Sequence, residues 1–282
     1  MIELAALFAV AGAASNAVGT AFQRKAASTS RRTGVQLIGE LIRRPAWVIG
    51  MAGVIGAAVF QSLALVNGPL ALVQPLFILE LPFALLVAGP LMHRRLPRWG
   101  WWGVGGVVAG LAVLLASAAP HGATDQAPLY RWIPALGLCL GALTAAVLLA
   151  CRSPRGARRA ALLAAASAVG NAMTAALLKS ASGTFSDQGF LAFLRSWQTY
   201  GFALAGVAAV VLLENALQAG PLAAAQPALT IGDAMVSLAL GMTLFDERIR
   251  TGWWLVPEAC GAVLSVVGVL VLSRAVQRIV MT

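Results

Sequence analysis

Gly68-Pro69-Leu70-Ala71-Leu72-Val73-Gln74-Pro75 reappears 152 residues later as Gly220-Pro221-Leu222-Ala223-Ala224-Ala225-Gln226-Pro227. At the same offset Arg98, Gly100, Trp101 and Trp102 match Arg250, Gly252, Trp253 and Trp254. Asn16-Ala17 and Asn171-Ala172 pair at an offset of 155. A match of this length held in register marks an internal duplication, against the bland account of chance in an Ala/Leu-rich background.

Working outward from these two copies, apolar runs bounded by Pro, Gly and charge predict nine membrane spans. They fall at roughly 3–22, 46–66, 71–92, 99–118, 131–151, 159–179, 197–217, 222–244 and 252–272. Two shorter apolar clusters, around Val35–Ile42 and Phe185–Leu194, are too short to cross and are expected as interfacial helices or ordered loops. The expected architecture is an all-α polytopic membrane protein. Residues 1–120 form a first repeat of four spans, 121–156 a connecting fifth span with its loop, and 157–282 a second repeat of four. Because the connector crosses once, the halves enter the bilayer in opposite senses, an inverted 4+1+4 repeat of the kind from which secondary transporters build a midplane site.

Composition leads to the same class. The 282 residues are 60% hydrophobic and 11% charged, against about 45–50% and about 25% in soluble domains. The mean hydropathy is +0.84. A single soluble core of this size has no room for that much apolar surface, which excludes a water-soluble globular enzyme. The apolar run Leu4–Phe22 has no basic residue before it and exceeds the usual h-region of about 7–15 residues, so a retained first span is expected rather than a cleaved signal.

The net charge of +10 sorts by loop. With the N-terminus outside, alternate connections collect Arg24, Lys25, Arg31, Arg32, Arg43, Arg44, Arg94, Arg95, Arg98, Arg152, Arg155, Arg158, Arg159, Arg274 and Arg278. The opposite side keeps only Arg131, Lys179, Arg195, Arg248 and Arg250. The positive-inside bias then places the C-terminus in the cytoplasm and the chain in the cell membrane, and no nucleic-acid partner is needed to explain the basicity.

The element Gly220-Pro221-Leu222 through Phe245-Asp246-Glu247-Arg248-Ile249 to Gly252, with a weaker copy from Gly68-Pro69-Leu70 through Arg94-Arg95-Leu96, resembles the signature of the drug/metabolite transporter superfamily in its EamA-like branch. Phe22-Gln23-Arg24-Lys25-Ala26 after span one, and nine spans rather than ten, look more like the NIPA magnesium-transporter branch. The resemblance covers nearly the whole chain and implies an inner-membrane carrier of a small solute or cation. The first copy departs from it, with His93-Arg94-Arg95 where that family often has a glutamate. Ten-span members usually keep both termini in the cytoplasm, whereas the charge count here puts the N-terminus outside.

An ionisable group in hydrocarbon is costly and is by default a functional candidate. Glu80 falls near the middle of span three and Asp233 near the middle of span eight, one position apart under the 152-residue offset. A carboxylate desolvated there suits proton coupling, or cation binding where a cation holds it ionised; packing alone is the bland account. Gln226, Thr230, Asp233 and Ser237 follow at helical spacing on one face of span eight, which suits either a cavity or inter-helix bonding. Asn16 and Asn171 are candidates because an amide both donates and accepts, although Ser167, Asn171 and Thr174 equally suit close packing. Gln74 and Gln226 lie beside Pro75 and Pro227, where a kink frees carbonyls to line a site or a proline merely punctuates a helix start. Glu258 and Glu214 are weaker candidates at span ends. Trp99, Trp101, Trp102, Trp253 and Trp254 suit an interfacial belt. Gly106–Gly110 suits close helix packing, with a homodimer face as its other use.

Four functions compete. The first is a secondary carrier of a small organic metabolite or drug-like solute, proton-coupled through Glu80 and Asp233. The second is a divalent-cation carrier, for which two deep carboxylates supply few of the oxygens that magnesium requires. The third, a membrane enzyme, is disfavoured: the expected cytoplasmic loops contain one acid, Glu40, and His93 and His121 each stand alone. Cys139, Cys151 and Cys260 form no metal or disulfide motif, no phosphate-binding loop is present, and no cofactor is expected. A non-transporting membrane partner is compatible with the same pattern.

Overall fold

Alanine recurs at every fourth position of the first helix, and Ala5, Ala9, Ala13, Ala17 and Ala21 are all at most 3% exposed. Helices in a bilayer gain little from burying apolar bulk, so they associate through such small-residue faces, where backbones approach closely. In the computed structural model, which describes residues 2–28, 45–91, 98–122, 124 and 126–281, that rule organises the fold.

The elements are α1 (Ile2–Ser28), α2 (Pro45–Asn67), α3 (Leu70–Leu76), a 3-10 turn (Phe77–Leu79), α4 (Glu80–Leu91), α5 (Arg98–Ala118) and α6 (Leu129–Cys151). They continue as α7 (Ala157–Gln188), α8 (Phe190–Arg195), α9 (Trp197–Ala219), α10 (Leu222–Leu244), a 3-10 turn (Gly252–Trp254) and α11 (Leu255–Met281). Among the described residues there is no strand, only an isolated bridge between His121 and Arg248. Nine helical segments of the described chain are long and apolar enough to cross a membrane, with α3, the 3-10 turn and α4 together making one of them. Large apolar side chains face outward, among them Leu7, Leu138 and Leu204 at 63%, 77% and 74% exposure. Length, hydropathy and this apolar exterior are those of a multi-pass membrane protein.

Helix α1 lies along α2, where Gly19 and Gly53 meet so closely that a Cβ on Gly53 would sit 2.8 Å from the Gly19 Cα. Ser15 seals the contact by donating from Oγ to the Gly53 carbonyl at 3.0 Å. Helices α7 and α9 pair similarly: Gly170 abuts Ala209, and Ser167 Oγ donates to the Ala209 carbonyl at 2.8 Å. Helix α1 also packs on α3 and α4, as α7 packs on α10. The third large contact joins α5 to α11. Gly103, Gly106 and Gly110 fit against Gly261, Ser265 and Gly268, and a Cβ on Gly110 would approach the Ser265 nitrogen to 2.5 Å. The Gly106–Gly110 face is therefore occupied within the chain by close packing.

Helix α7 is the central element, touching α9, α10, α6, α2 and α3. Its 32 residues span about 48 Å at 1.5 Å per residue, more than the roughly 30 Å of hydrocarbon. The sequence predicts span six to end at residue 179; the helix runs on to Gln188 because Ser180 to Thr184 are buried against protein. The Phe185–Leu194 cluster divides between the last turn of α7 and the short helix α8, separated at Gly189 with φ +81°. The Val35–Ile42 cluster lies outside the described residues. Pro75 breaks its span into α3, a 3-10 turn and α4, whereas Pro227 sits inside an unbroken α10.

Candidate functional site

Helix α3 begins after Gly68-Pro69, and its N-cap Pro69 offers no side chain to the free N–H groups of the first turn. Those donors are satisfied from a distant part of the chain. Leu70 N donates to Glu247 Oε1 at 2.6 Å and Ala71 N donates to Glu247 Oε2 at 2.9 Å. The same carboxylate receives Lys179 Nζ at 3.0 Å on Oε1. Lys179 also donates to the Gly68 carbonyl at 3.0 Å, and its Nζ lies 5.0 Å from the centre of the Phe245 ring. Both charged side chains are 0% exposed. One buried ion pair thus ties α7, the turn after α10, the α2–α3 connection and the start of α3.

Local backbone chemistry delivers Glu247 to this point. Helix α10 stops at Leu244, and Phe245 N and Glu247 N both donate to the Gly241 carbonyl at 3.1 Å. Asp246 takes φ +52°, a left-handed conformation that aspartate tolerates better than most residues. The carboxylate then passes over Gly241, where any Cβ would collide with Glu247 Oε2. Phe245 is fully buried and meets the edge of Trp132, which in turn meets Trp197.

Weaker bonds gather around the pair. Arg131 and Asp246 form an ion pair at 2.7 Å nearer the surface. His121 and Arg248 exchange backbone bonds at 3.0 and 2.9 Å, Arg250 N donates to Ala118 O at 2.9 Å, and Thr124 N donates to Phe245 O at 2.9 Å. Gln126 Nε2 donates to Ser180 O at 3.1 Å and Thr184 Oγ1 at 2.9 Å, while Ser180 Oγ donates back to Gln126 Oε1 at 3.2 Å. At one end of the bundle, therefore, the connections after α2, α5 and α10 and the last turns of α7 are joined.

The residues singled out from sequence are placed as follows. Asp233 is half-buried in the middle of α10 and receives Ser237 Oγ on Oδ1 at 3.5 Å, with Ser237 fully buried. Gln226 and Thr230 are half-buried earlier in the same helix. Glu80 opens α4 immediately after the Pro75 break and is half-buried. Gln74 is 6% exposed, and its Nε2 has no hydrogen-bond partner among the described residues. Asn16 on α1 and Asn171 on α7 are half-buried. Glu258 is half-buried near the start of α11, with Oε2 buried and unpartnered among the described residues. Glu214 is exposed on α9. Asp233 and Ser237 are thus brought together. Among the described residues no three His, Cys, Asp or Glu side chains gather to hold a metal ion.

Sequence reasoning missed the Lys179–Glu247 pair. Lys179 reads as the last residue of a span and Glu247 as part of a polar turn, both of them ordinary punctuation. The available signal was that no Gly or Pro that would stop a helix follows Lys179 directly; Ser180, Ala181 and Ser182 extend it, and Gly183 does not interrupt it before Gly189.

An uncharacterized protein of Corynebacterium glutamicum is similar to this chain, 27% identical over 277 residues that cover 96% of this chain and 95% of that one. No known family profile matches the chain. No solved structure matches it either.

Proposed function

We propose that this chain is a secondary transporter of the drug/metabolite superfamily, EamA-like, that moves a small organic solute across the cell membrane by alternating access with proton coupling. The observation that carries this reading is the matched packing of the two halves. Helix α1 packs on α2 and on α3–α4, α7 packs on α9 and α10, and α5 and α11 join the halves. Combined with the 152-residue duplication and one connecting span, α6, that pattern fits an inverted repeat, which can expose one midplane site to either side in turn.

Within that reading Asp233 and Glu80 carry the proton, and Gln74, Asn16, Asn171, Gln226 and Thr230 contribute polar contacts to the pathway. Gln74 supports this most directly, because a buried amide nitrogen with no partner among the described residues is costly unless something binds it. Glu258 would serve the outer vestibule. The orientation by charge puts the Lys179–Glu247 end outside and the arginine-rich end in the cytoplasm.

The test uses proteoliposomes that report internal pH and magnesium, challenged with fractionated metabolite mixtures. Proton movement that appears only with an organic fraction, and is abolished by Asp233→Asn and sharply reduced by Glu80→Gln, is the expected result. Magnesium entry abolished by both substitutions would replace this reading with a divalent-cation carrier. Silence toward both would remove the transport reading.

A further inference from the structure

The geometry points to the Lys179–Glu247 pair as the latch of an outer gate, one that holds the extracytoplasmic end shut. This inference rests on the carrier reading above. The pair sits where a gate must: it bonds the central helix α7 and the turn after α10, both in the second half, to Gly68, Leu70 and Ala71 in the first half. Neither side chain touches solvent. A purely structural tie within one half would leave the halves free to part at this end; this one spans them.

The sequence duplication supplies the second argument. At the 152-residue offset Glu247 corresponds to Arg95, and Lys179 lies 154 residues after Lys25. At these two matching positions the first half thus carries two cations where the second half carries a cation and a carboxylate. The second copy of the receiving turn, Gly220-Pro221-Leu222, is retained. A latch that forms only when one end is closed favours the state closed at that end, and removing it shifts the population toward the opposite state. The resting protein accordingly faces the cytoplasm, and opening outward requires Glu247 to leave the start of α3.

Cysteine accessibility tests this without depending on transport. With Cys139, Cys151 and Cys260 replaced by alanine, a single reporter is placed at Ser182, buried on α7 three residues beyond Lys179, or at Ser153, buried at the opposite end. Right-side-out and inside-out vesicles are exposed to a membrane-impermeant maleimide. Lys179→Met with Glu247→Gln removes both charges while keeping an acceptor for one of the Leu70 and Ala71 N–H groups, and serves where Glu247→Gln alone does not fold. The expected result is labelling at Ser182→Cys that is faster by about tenfold or more and labelling at Ser153→Cys that slows. Unchanged labelling at Ser182→Cys in the folded double variant overturns the gate, as does faster labelling at both ends, which would mean general loosening. If the labelling behaves as expected while the wild type moves no solute or ion, the latch stands and the carrier reading falls.

Discussion

Lys179 and Glu247 are worth most to each other because neither can reach water. Removing one partner of a buried pair leaves an uncompensated charge and costs about 3–5 kcal/mol, whereas removing both together is far milder. Glu247→Gln is therefore expected to lower the melting temperature in detergent sharply, and Lys179→Met added to it to restore most of the loss. Exchanging the two, Lys179→Glu with Glu247→Lys, is not expected to rescue stability, because Leu70 and Ala71 N–H need an acceptor and would face an ammonium. A melting curve for the exchanged variant equal to wild type would contradict the geometry. Gly241→Ala should mimic the loss of Glu247, since its Cβ would occupy the carboxylate's place. At this scale Asp233 and Glu80 were legible in the sequence, each an acid inside an apolar run. The latch was not, because its partners lie 68 positions apart and each sits at what looks like the end of a span.

Small residues decide how the helices pair. On α5, Gly103, Gly106 and Gly110 face the α11 backbone, while Gly105 has nothing within 4 Å. Gly110→Ala should cost about 1–3 kcal/mol by overpacking, and Gly105→Ala should be neutral or gain up to about 1 kcal/mol from helix propensity. Thermal unfolding of the two variants side by side checks this, and equal effects would contradict the α5–α11 contact. The nine apolar helical segments were legible from hydropathy, with most ends within two residues of the structure. The full length of α7 was not, because the span was ended where side chains turn polar, and Ser180, Ser182 and Thr184 are polar yet buried against neighbouring protein. The two prolines also read alike in sequence but differ in outcome: α3 gives way to a 3-10 turn after Pro75, and α10 continues through Pro227. Pro75→Ala is expected to leave folding intact while reducing solute-driven proton flux, if the break beside Gln74 and Glu80 lines the pathway.

For the molecule as a whole, the duplication, the charge asymmetry and the end-closing network address the same question from independent sides. The repeat predicts two halves that can rock against each other, the arginine count is the basis of the orientation proposed above, and the bonds among positions 68, 121, 126, 131, 180 and 248 hold one end together. Class follows from composition and the spans from the apolar runs, because a bilayer restricts what can cross it so severely. The solute does not, because a polar stripe on a membrane helix looks the same whether it faces a cavity or a neighbouring helix. The most direct test of alternating access is a pair of distance measurements by spin labels. One pair, at Asn67 and Asp187, reports the end that Lys179 and Glu247 close, and the other, at Arg98 and Arg155, reports the opposite end. Replacing Lys179 by Met and Glu247 by Gln together should lengthen the first distance and shorten the second within the same sample. Two distances that stay fixed, or that lengthen together, would contradict the account.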